Sequence, residues 1–301
     1  MASWGRMNVS LLLLLGASIL LSGCAPLECA VRDVVLQANL QLDEYAPCFL
    51  SESGRLYIGV SETWSEHDSG RTVLTALDLS GKARGKIALP DGLFAEAIYA
   101  DGGAVYCLCK RLCEDSDKSW RLLKMTLAGS VVWDREIHKI MFESESETLH
   151  LSIDDWRNVQ IVSRGKPDEL SVIWQAESSR PETGTLEFSR WTGQITGFLE
   201  GIQSETGAKY SIWGRELARI TGTGPGVTLL TDEDARWAFD YVNGRLVAQA
   251  SRDRKTGNVR YVEGGLAPVL DTPLPYPVRN NGRFFYAVDP GRKILRLVRI
   301  R

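Results

Sequence analysis

The side chains that could perform acid–base or nucleophilic chemistry are few and scattered. The chain has three histidines, His67, His138 and His150. His67 lies in a polar turn and His150 takes the aromatic position of a strand pattern, so the spacing assembles no Ser-His-Asp set. The sequence also lacks a G-x-S-x-G turn, an H-E-x-x-H motif and a phosphate-binding glycine loop. These observations predict a protein that is not an enzyme.

Alternating carboxylates occur in three polar turns. They are Asp115 with Asp117, Asp232 with Asp234, and Glu143 with Glu145 and Glu147. Calcium loops space carboxylates in this way, but neither aspartate pair has the following glycine and distal glutamate that complete such a loop. We therefore interpret these residues as solvated hairpins and predict no metal and no cofactor.

The cysteines beyond residue 24 are a further candidate group. They are Cys29, Cys48, Cys107, Cys109 and Cys113. An odd number allows at most two disulfides. Cys107 and Cys109 alternate along a strand pattern, so a bridge from Cys113 to either one would tie a hairpin, and Cys29–Cys48 would then tie the N-terminal arm to the body. Zinc is less well supported, because C-x-C-x3-C lacks the usual C-x2-C pair and no histidine is close.

The N-terminus has the pattern of an export signal. One positive side chain, Arg6, precedes an apolar run from Val9 to Leu21, which is short for a membrane span. The run ends in Leu21-Ser22-Gly23-Cys24, which resembles the lipobox of bacterial lipoproteins. That resemblance implies cleavage after residues 1–23, a diacylglyceryl group on the Cys24 thiol and acylation of the new amine. The alternative is a soluble secreted protein with Cys24 in a disulfide.

The residue after the cysteine, Ala25, resembles the sorting position of outer-membrane lipoproteins. In a Gram-negative host we therefore expect a lipid anchor on the periplasmic side of the outer membrane. The remaining 278 residues carry 34 basic and 38 acidic side chains, a net charge of −4. Nucleic-acid-binding domains usually carry a basic face, so this balance argues against a nucleic-acid partner. We assign 24–30 to a linker and 31–301 to one domain.

One strand signature recurs through the mature chain and predicts the fold. It consists of a turn residue, a spacer, and two residues that are mostly apolar or aromatic. The copies begin at Gly54, Gly103, Glu147, Gly193, Gly244 and Gly282, at intervals of 49, 44, 46, 51 and 38 residues. Repeats of 40–50 residues with four short strands are typical of β-propeller blades, which must stack to bury their sheet faces.

The sequence therefore predicts an all-β, six-bladed β-propeller. The expected blades are 45–89, 94–135, 138–175, 184–220, 236–270 and a last one that starts near 275. The last blade runs out of chain after three strands, so we expect 31–40 to supply the fourth and close the ring. A loop at 222–234 reads as an insertion. A β-sandwich and an irregular β-solenoid are the alternatives.

Two sets of side chains are expected to mark the inside of this fold. Six tryptophans recur about once per half-blade and predict packing between blades: Trp133, Trp156, Trp174, Trp191, Trp213 and Trp237. The charged residues expected on inner strands are Glu96, Asp240 and Arg279, which do not form a repeated ring. A propeller hydrolase would need a divalent metal or acid in the central channel.

The segments Cys29–Val35, Asp43–Cys48 and Leu56-Tyr57 resemble immunity lipoproteins of type VI-secreted lipases, over about 30 residues. The resemblance implies a secreted lipase effector as partner, neutralised by occlusion of its active-site entrance. More generally, we expect a non-enzymatic, lipid-anchored protein that binds another protein. The alternatives are an envelope-assembly scaffold, like the propeller lipoprotein of the outer-membrane assembly machine, and a propeller hydrolase with a divalent metal.

Overall fold

The structure is a computed structural model of the chain. The residues that it describes are 31–36, 42, 46–62, 70–111, 119–137, 140–143, 148–151, 156–176, 183–213, 216–220, 227–231, 236–251, 256–263, 268–270 and 274–300. Among them there is no helix long and apolar enough to cross a membrane. They form antiparallel sheets arranged as a six-bladed β-propeller, as the sequence predicts.

The strands follow one another as hairpins, four to a blade. After β1 (Val31–Val35), blade 1 contains β2 (Cys48–Leu50), β3 (Leu56–Glu62), β4 (Arg71–Leu77) and β5 (Ala83–Ala88). Blade 2 contains β6 (Leu93–Asp101), β7 (Ala104–Arg111), β8 (Ser119–Thr126) and β9 (Val131–Ile137). A separate hairpin of β10 (Ile140–Glu143) and β11 (Thr148–Leu151) precedes blade 3, which contains β12 (Trp156–Val162), β13 (Glu169–Ala176), β14 (Thr183–Ser189) and β15 (Ile195–Glu200).

The other three blades repeat this order. Blade 4 contains β16 (Ile202–Gln203), β17 (Lys209–Trp213), β18 (Glu216–Ile220) and β19 (Val227–Thr231). Blade 5 contains β20 (Arg236–Val242), β21 (Arg245–Ser251), β22 (Thr256–Tyr261) and β23 (Leu274–Pro275). Blade 6 contains β24 (Arg279–Asn280), β25 (Phe284–Asp289) and β26 (Ile294–Arg299), with β1 as its fourth strand.

The ring is closed by the N-terminal strand, which confirms the expected closure. β1 pairs antiparallel with β26, and Val31 lies opposite Val298. Asp33 accepts hydrogen bonds of 2.8 and 2.9 Å from the guanidinium of Arg296. Val34 is buried in the core between blades 6 and 1. Each terminus thus supplies part of the same sheet, which completes the last blade with a fourth strand.

The signature marks the second strand in four blades and fails in two. Gly54, Gly103, Gly244 and Gly282 lie in the turns before β3, β7, β21 and β25, each with positive φ. Glycine is favoured there because an L side chain is strained in the left-handed region. The copies at Glu147 and Gly193 are wrong, because they fall at the hairpin strand β11 and before the outer strand β15.

The expected blades 138–175 and 184–220 are therefore displaced. The hairpin β10–β11 pairs only with itself among the described strands, and blade 3 begins at Trp156. The predicted insertion at 222–234 is also wrong, since it contains β19, the outer strand of blade 4. Strand alternation has a period of two in every strand, so alternation alone does not separate a second strand from a fourth.

Apolar side chains fill the gaps between neighbouring blades. Trp120 of blade 2 packs against Trp156 of blade 3 with ring centroids 5.6 Å apart, and Trp156 stacks on Trp174 at 5.1 Å. Trp133 meets Phe188 edge-on across the same interface. Packing between blades is thus confirmed for Trp133, Trp156 and Trp174. The side chains of Trp213 and Trp237 lie outside the described parts, and Trp191 is exposed.

One face of the propeller carries the turns that join first to second strands, and we call it the mouth face. In an antiparallel meander the turns from third to fourth strands lie at the same end. Polar contacts join the blades here: Asn281 of blade 6 donates to the Ser51 carbonyl of blade 1 at 3.2 Å, and Ser204 of blade 4 donates to Glu263 of blade 5 at 2.6 Å. Val31, opposite Val298, begins β1 at this face.

Candidate functional site

A cavity of about 710 Å³ lies in the centre of the ring and opens at the mouth face. Its wall consists of the ends of the inner strands β2, β6, β12, β20 and β24, together with the turns that follow them. The inner strand of blade 4, β16, has two residues, and neither lines the cavity. The cavity is of the size that holds a small ligand or one protruding side chain.

Asp240 is half-buried in the cavity wall on β20. Its carboxylate accepts a hydrogen bond from the Tyr241 amide at 2.8 Å and one from the Asn280 side-chain amide at 2.7 Å. Loss of solvent at this wall raises the pKa of Asp240 from 3.8 to about 6, against the lowering effect of these donors and of Arg279. The group is therefore poised to gain or lose a proton in mildly acidic solution.

Arg279, on β24, lines the cavity beside the thiol of Cys48. Its buried Nε has no hydrogen-bond partner, and no carboxylate of the described residues lies within ion-pair distance. Burial raises the pKa of the Cys48 thiol, which keeps it neutral. The hydroxyl of Tyr286 accepts a hydrogen bond from the Leu50 amide at 3.0 Å. Arg279 thus lines the cavity with a guanidinium that interacts with the Cys48 thiol but is paired with no described carboxylate.

Gln160, on β12, is a second donor without an acceptor. Its side chain is 5% exposed and lines the same cavity. It makes no side-chain hydrogen bond to any of the residues that the structure describes. An amide that lines the cavity without a protein partner is a candidate contact for a ligand.

At the rim, Arg190 ties blade 3 to blade 2. Its Nη1 forms an ion pair with Asp101, its Nη2 donates to Ser163 Oγ at 3.0 Å, and its Nε donates to the Glu169 carbonyl at 3.2 Å. The guanidinium lies 5.7 Å from the ring centroid of Tyr99. These contacts occupy the fork of Arg190, so its role is to hold the rim.

Four exposed apolar side chains of blades 2 and 3 lie at the mouth face, and we call them the apolar patch. They are Leu127, Val131, Val132 and Trp191. Trp191 follows Arg190 directly and is 66% exposed. Its Nε1 donates to Asp168 at 2.9 Å, and Lys124 Nζ lies 5.1 Å from the ring centroid. The ring is thus held in place while most of it faces solvent.

The structure brings two of the three predicted inner-strand charges together. Asp240 and Arg279 line the cavity, whereas Glu96 pairs with Lys110 at 3.4 Å and does not. The sequence did not point to Arg190. The prediction that Trp191 packs between blades is wrong, since this side chain is 66% exposed on the turn of blade 3 that brings both residues to the mouth face. Within the described ranges no three His, Cys, Asp or Glu side chains are grouped as a metal site would require.

The structure describes three of the six cysteines of the chain. Cys48, Cys107 and Cys109 are buried with free thiols. Cys107 and Cys109 share one face of β7, as expected. Because Cys48, Cys107 and Cys109 are free, the predicted bridges from them are not supported. Cys24, Cys29 and Cys113 lie outside the described residues, as do His67, His138 and most residues of the three acidic turns, so predictions that rest on those residues alone remain predictions.

Comparison with known proteins finds only distant structural similarity. No protein-family model and no curated protein matches the chain. A prolyl endopeptidase aligns with 86% of the chain at 13% identity and a TM-score of 0.37, and the aligned part is 42% of that enzyme's length. A neuraminidase-like protein from A/bat/Guatemala/164/2009 aligns with 85% of the chain and 72% of its own at 8% identity and a TM-score of 0.39. Neither likeness assigns an activity.

Proposed function

We propose that this protein is a lipid-anchored binding protein of the bacterial envelope that receives another protein on its mouth face. The observation that carries the proposal is Trp191 at the mouth face, which is fixed by Asp168 and Lys124 yet mostly exposed, with the other exposed apolar side chains of the apolar patch at the same face of blade 2. Exposed apolar clusters mark interaction sites, and tryptophan is enriched among the residues that dominate binding energy.

The rim is also firm enough to serve as a docking surface. The Arg190–Asp101 ion pair and the Asn281 and Ser204 hydrogen bonds join neighbouring blades at this face. A surface that is already ordered loses little conformational entropy when a partner binds. The anchor at Cys24 and the periplasmic side of the outer membrane remain parts of this proposal that rest on the lipobox resemblance.

The test is affinity capture from solubilised envelope with the membrane-anchored full chain. We expect Trp191→Ala to reduce capture at least about tenfold, as loss of a central aromatic contact does. Val35→Ala is the matched control, because Val35 is 62% exposed but lies at the far end of β1 from the mouth face. Absence of any captured protein at physiological salt, or equal capture by both variants, would refute the proposal.

In its narrower form, the proposal names a type VI-secreted lipase as the partner, on the sequence likeness around Cys29, Cys48 and Leu56-Tyr57. Purified lipase encoded beside this chain should then lose activity when the chain is added in equal amount, and Trp191→Ala should restore the activity. A lipase that stays fully active in a stable complex would rule out occlusion of its entrance.

A further inference from the structure

The cavity has hydrogen-bond donors to spare and few free acceptors. Both oxygens of Asp240 have donors, and Asp101 is paired with Arg190. Arg279 lines the cavity without an ion pair to any described carboxylate, and the Gln160 side-chain amide, which lines it too, makes no hydrogen bond to a described residue. An occupant that satisfies these groups must therefore bring acceptor oxygens.

The surroundings of Arg279 select among such occupants. Its other neighbours are the neutral Cys48 thiol and the Tyr286 hydroxyl, and the carboxyl of Asp240, whose pKa is raised to about 6, lies nearby. A guanidinium binds two oxygens of a planar carboxylate through a pair of parallel N–H bonds. A doubly charged phosphate would meet stronger repulsion from Asp240 and from Glu52 at the rim.

We infer that the cavity is a carboxylate-binding site, in which Arg279 holds the carboxylate of an acidic side chain or C-terminus inserted by the partner protein. The source of the carboxylate rests on the proposed function, whereas the site itself does not. The cavity volume of about 710 Å³ suits such a chain end. The apolar patch would bind the surrounding surface of the same partner.

The first arm of the test measures the site with a small probe. The full chain is titrated with sodium acetate by calorimetry at constant ionic strength, and acetamide serves as the uncharged isostere. We expect saturable binding of acetate and none of acetamide, and a loss of at least about tenfold in affinity for Arg279→Gln. Arg283→Gln is the matched control, because Arg283 is exposed on the same hairpin and does not line the cavity.

Two further variants distinguish loss of the binding site from loss of the fold, because each should keep part of the affinity. Arg279→Lys keeps the charge but loses the fork, so it should retain part of the affinity, and Gln160→Leu should lose several-fold. Failure of acetate to bind, equal binding of acetamide, tighter binding of inorganic phosphate, or an unchanged affinity in Arg279→Gln would overturn the carboxylate site.

The second arm identifies the source by repeating affinity capture with Arg279→Gln. A loss of at least about tenfold, with Arg283→Gln unaffected, assigns the carboxylate to the partner protein. Unchanged capture together with acetate binding would overturn that source in favour of a free carboxylic acid. Capture by the unmodified chain without any acetate binding would leave the proposed function standing and remove this inference alone.

Discussion

The raised pKa of Asp240 makes a definite prediction about stability and pH. The pKa is about 6 in the folded protein and 3.8 as the ordinary value, so the folded state holds its proton more tightly. Below pH 3.8 the Asp240 carboxyl is protonated in both the folded and the unfolded protein, and its contribution to the free energy of unfolding is fully present. As the pH rises through this window the unfolded chain releases its proton first, and stability is lost until the folded pKa has been passed.

The magnitude follows from the size of the shift. A shift of about two units corresponds to about 3 kcal/mol, of which about 2 kcal/mol falls between about pH 4.5 and about pH 7.5. Asp240→Asn removes this titration. It also places an amide against the Asn280 amide, a loss of about 1 kcal/mol that is similar at both pH values. The effect of the substitution should therefore shift towards stabilisation by about 2 kcal/mol as the pH rises.

The assay is urea unfolding of the purified chain, followed by tryptophan fluorescence at both pH values. Asp78→Asn is the control without a pH effect in this window. The Ser80 hydroxyl, with Arg84 and the Ser80 and Lys82 amides, lowers the pKa of Asp78, so its carboxyl is ionised at both pH values in the folded and the unfolded chain, and the effect of that variant should be nearly the same at both. A change for Asp240→Asn below about 0.5 kcal/mol, or towards destabilisation, would refute the assigned desolvation of Asp240.

The remaining predictions concern packing. A Cβ on Gly184 would meet the Trp174 ring at 2.2 Å, so Gly184→Ala should destabilise by about 1–3 kcal/mol, whereas Gly85→Ala, which meets nothing within 4 Å, should not; urea midpoints measure both. Val34→Asp places a charge in the core between blades 6 and 1, so we expect β1 to detach and size-exclusion chromatography to show association through the open edge. Cys109 is fully buried and burial raises its pKa, so a thiol reagent should label it only after denaturant is added; labelling of the folded chain would contradict the structure.

The sequence predicts the fold well where backbone geometry demands a particular residue. The turns before β3, β7, β21 and β25 need a left-handed residue, which explains the glycines of the repeat. Blades 3 and 4 also have a glycine with positive φ in this turn, Gly165 and Gly207, but the repeat recognised in the sequence did not include them. Gly193 also has positive φ, but it lies in a turn from third to fourth strand and so imitates the repeat at the wrong place.

Only part of the site could be predicted from the sequence, because the rest depends on which turns of different blades meet in the fold. Asp240 and Arg279 could be assigned to inner strands because each lies in a strand that opens a blade. Arg190 is 89 residues from its partner Asp101, and the contact exists only because a turn of blade 3 reaches the rim of blade 2. Trp191 follows from the same turn, so the apolar patch depends on tertiary packing.

The start of β1 at the mouth face constrains what can reach the cavity. If Cys24 is held in a bilayer, the seven residues from Cys24 to Val31 extend at most about 25 Å. The gap between the mouth face and the membrane would then be at most about 25 Å beside this tethering segment. A folded domain of about 100 residues has a radius of gyration of about 13 Å and is too thick to enter. Beside the tether this gap would admit loops, chain ends and thin edges, so a folded partner would have to reach the mouth face from the side away from the tether.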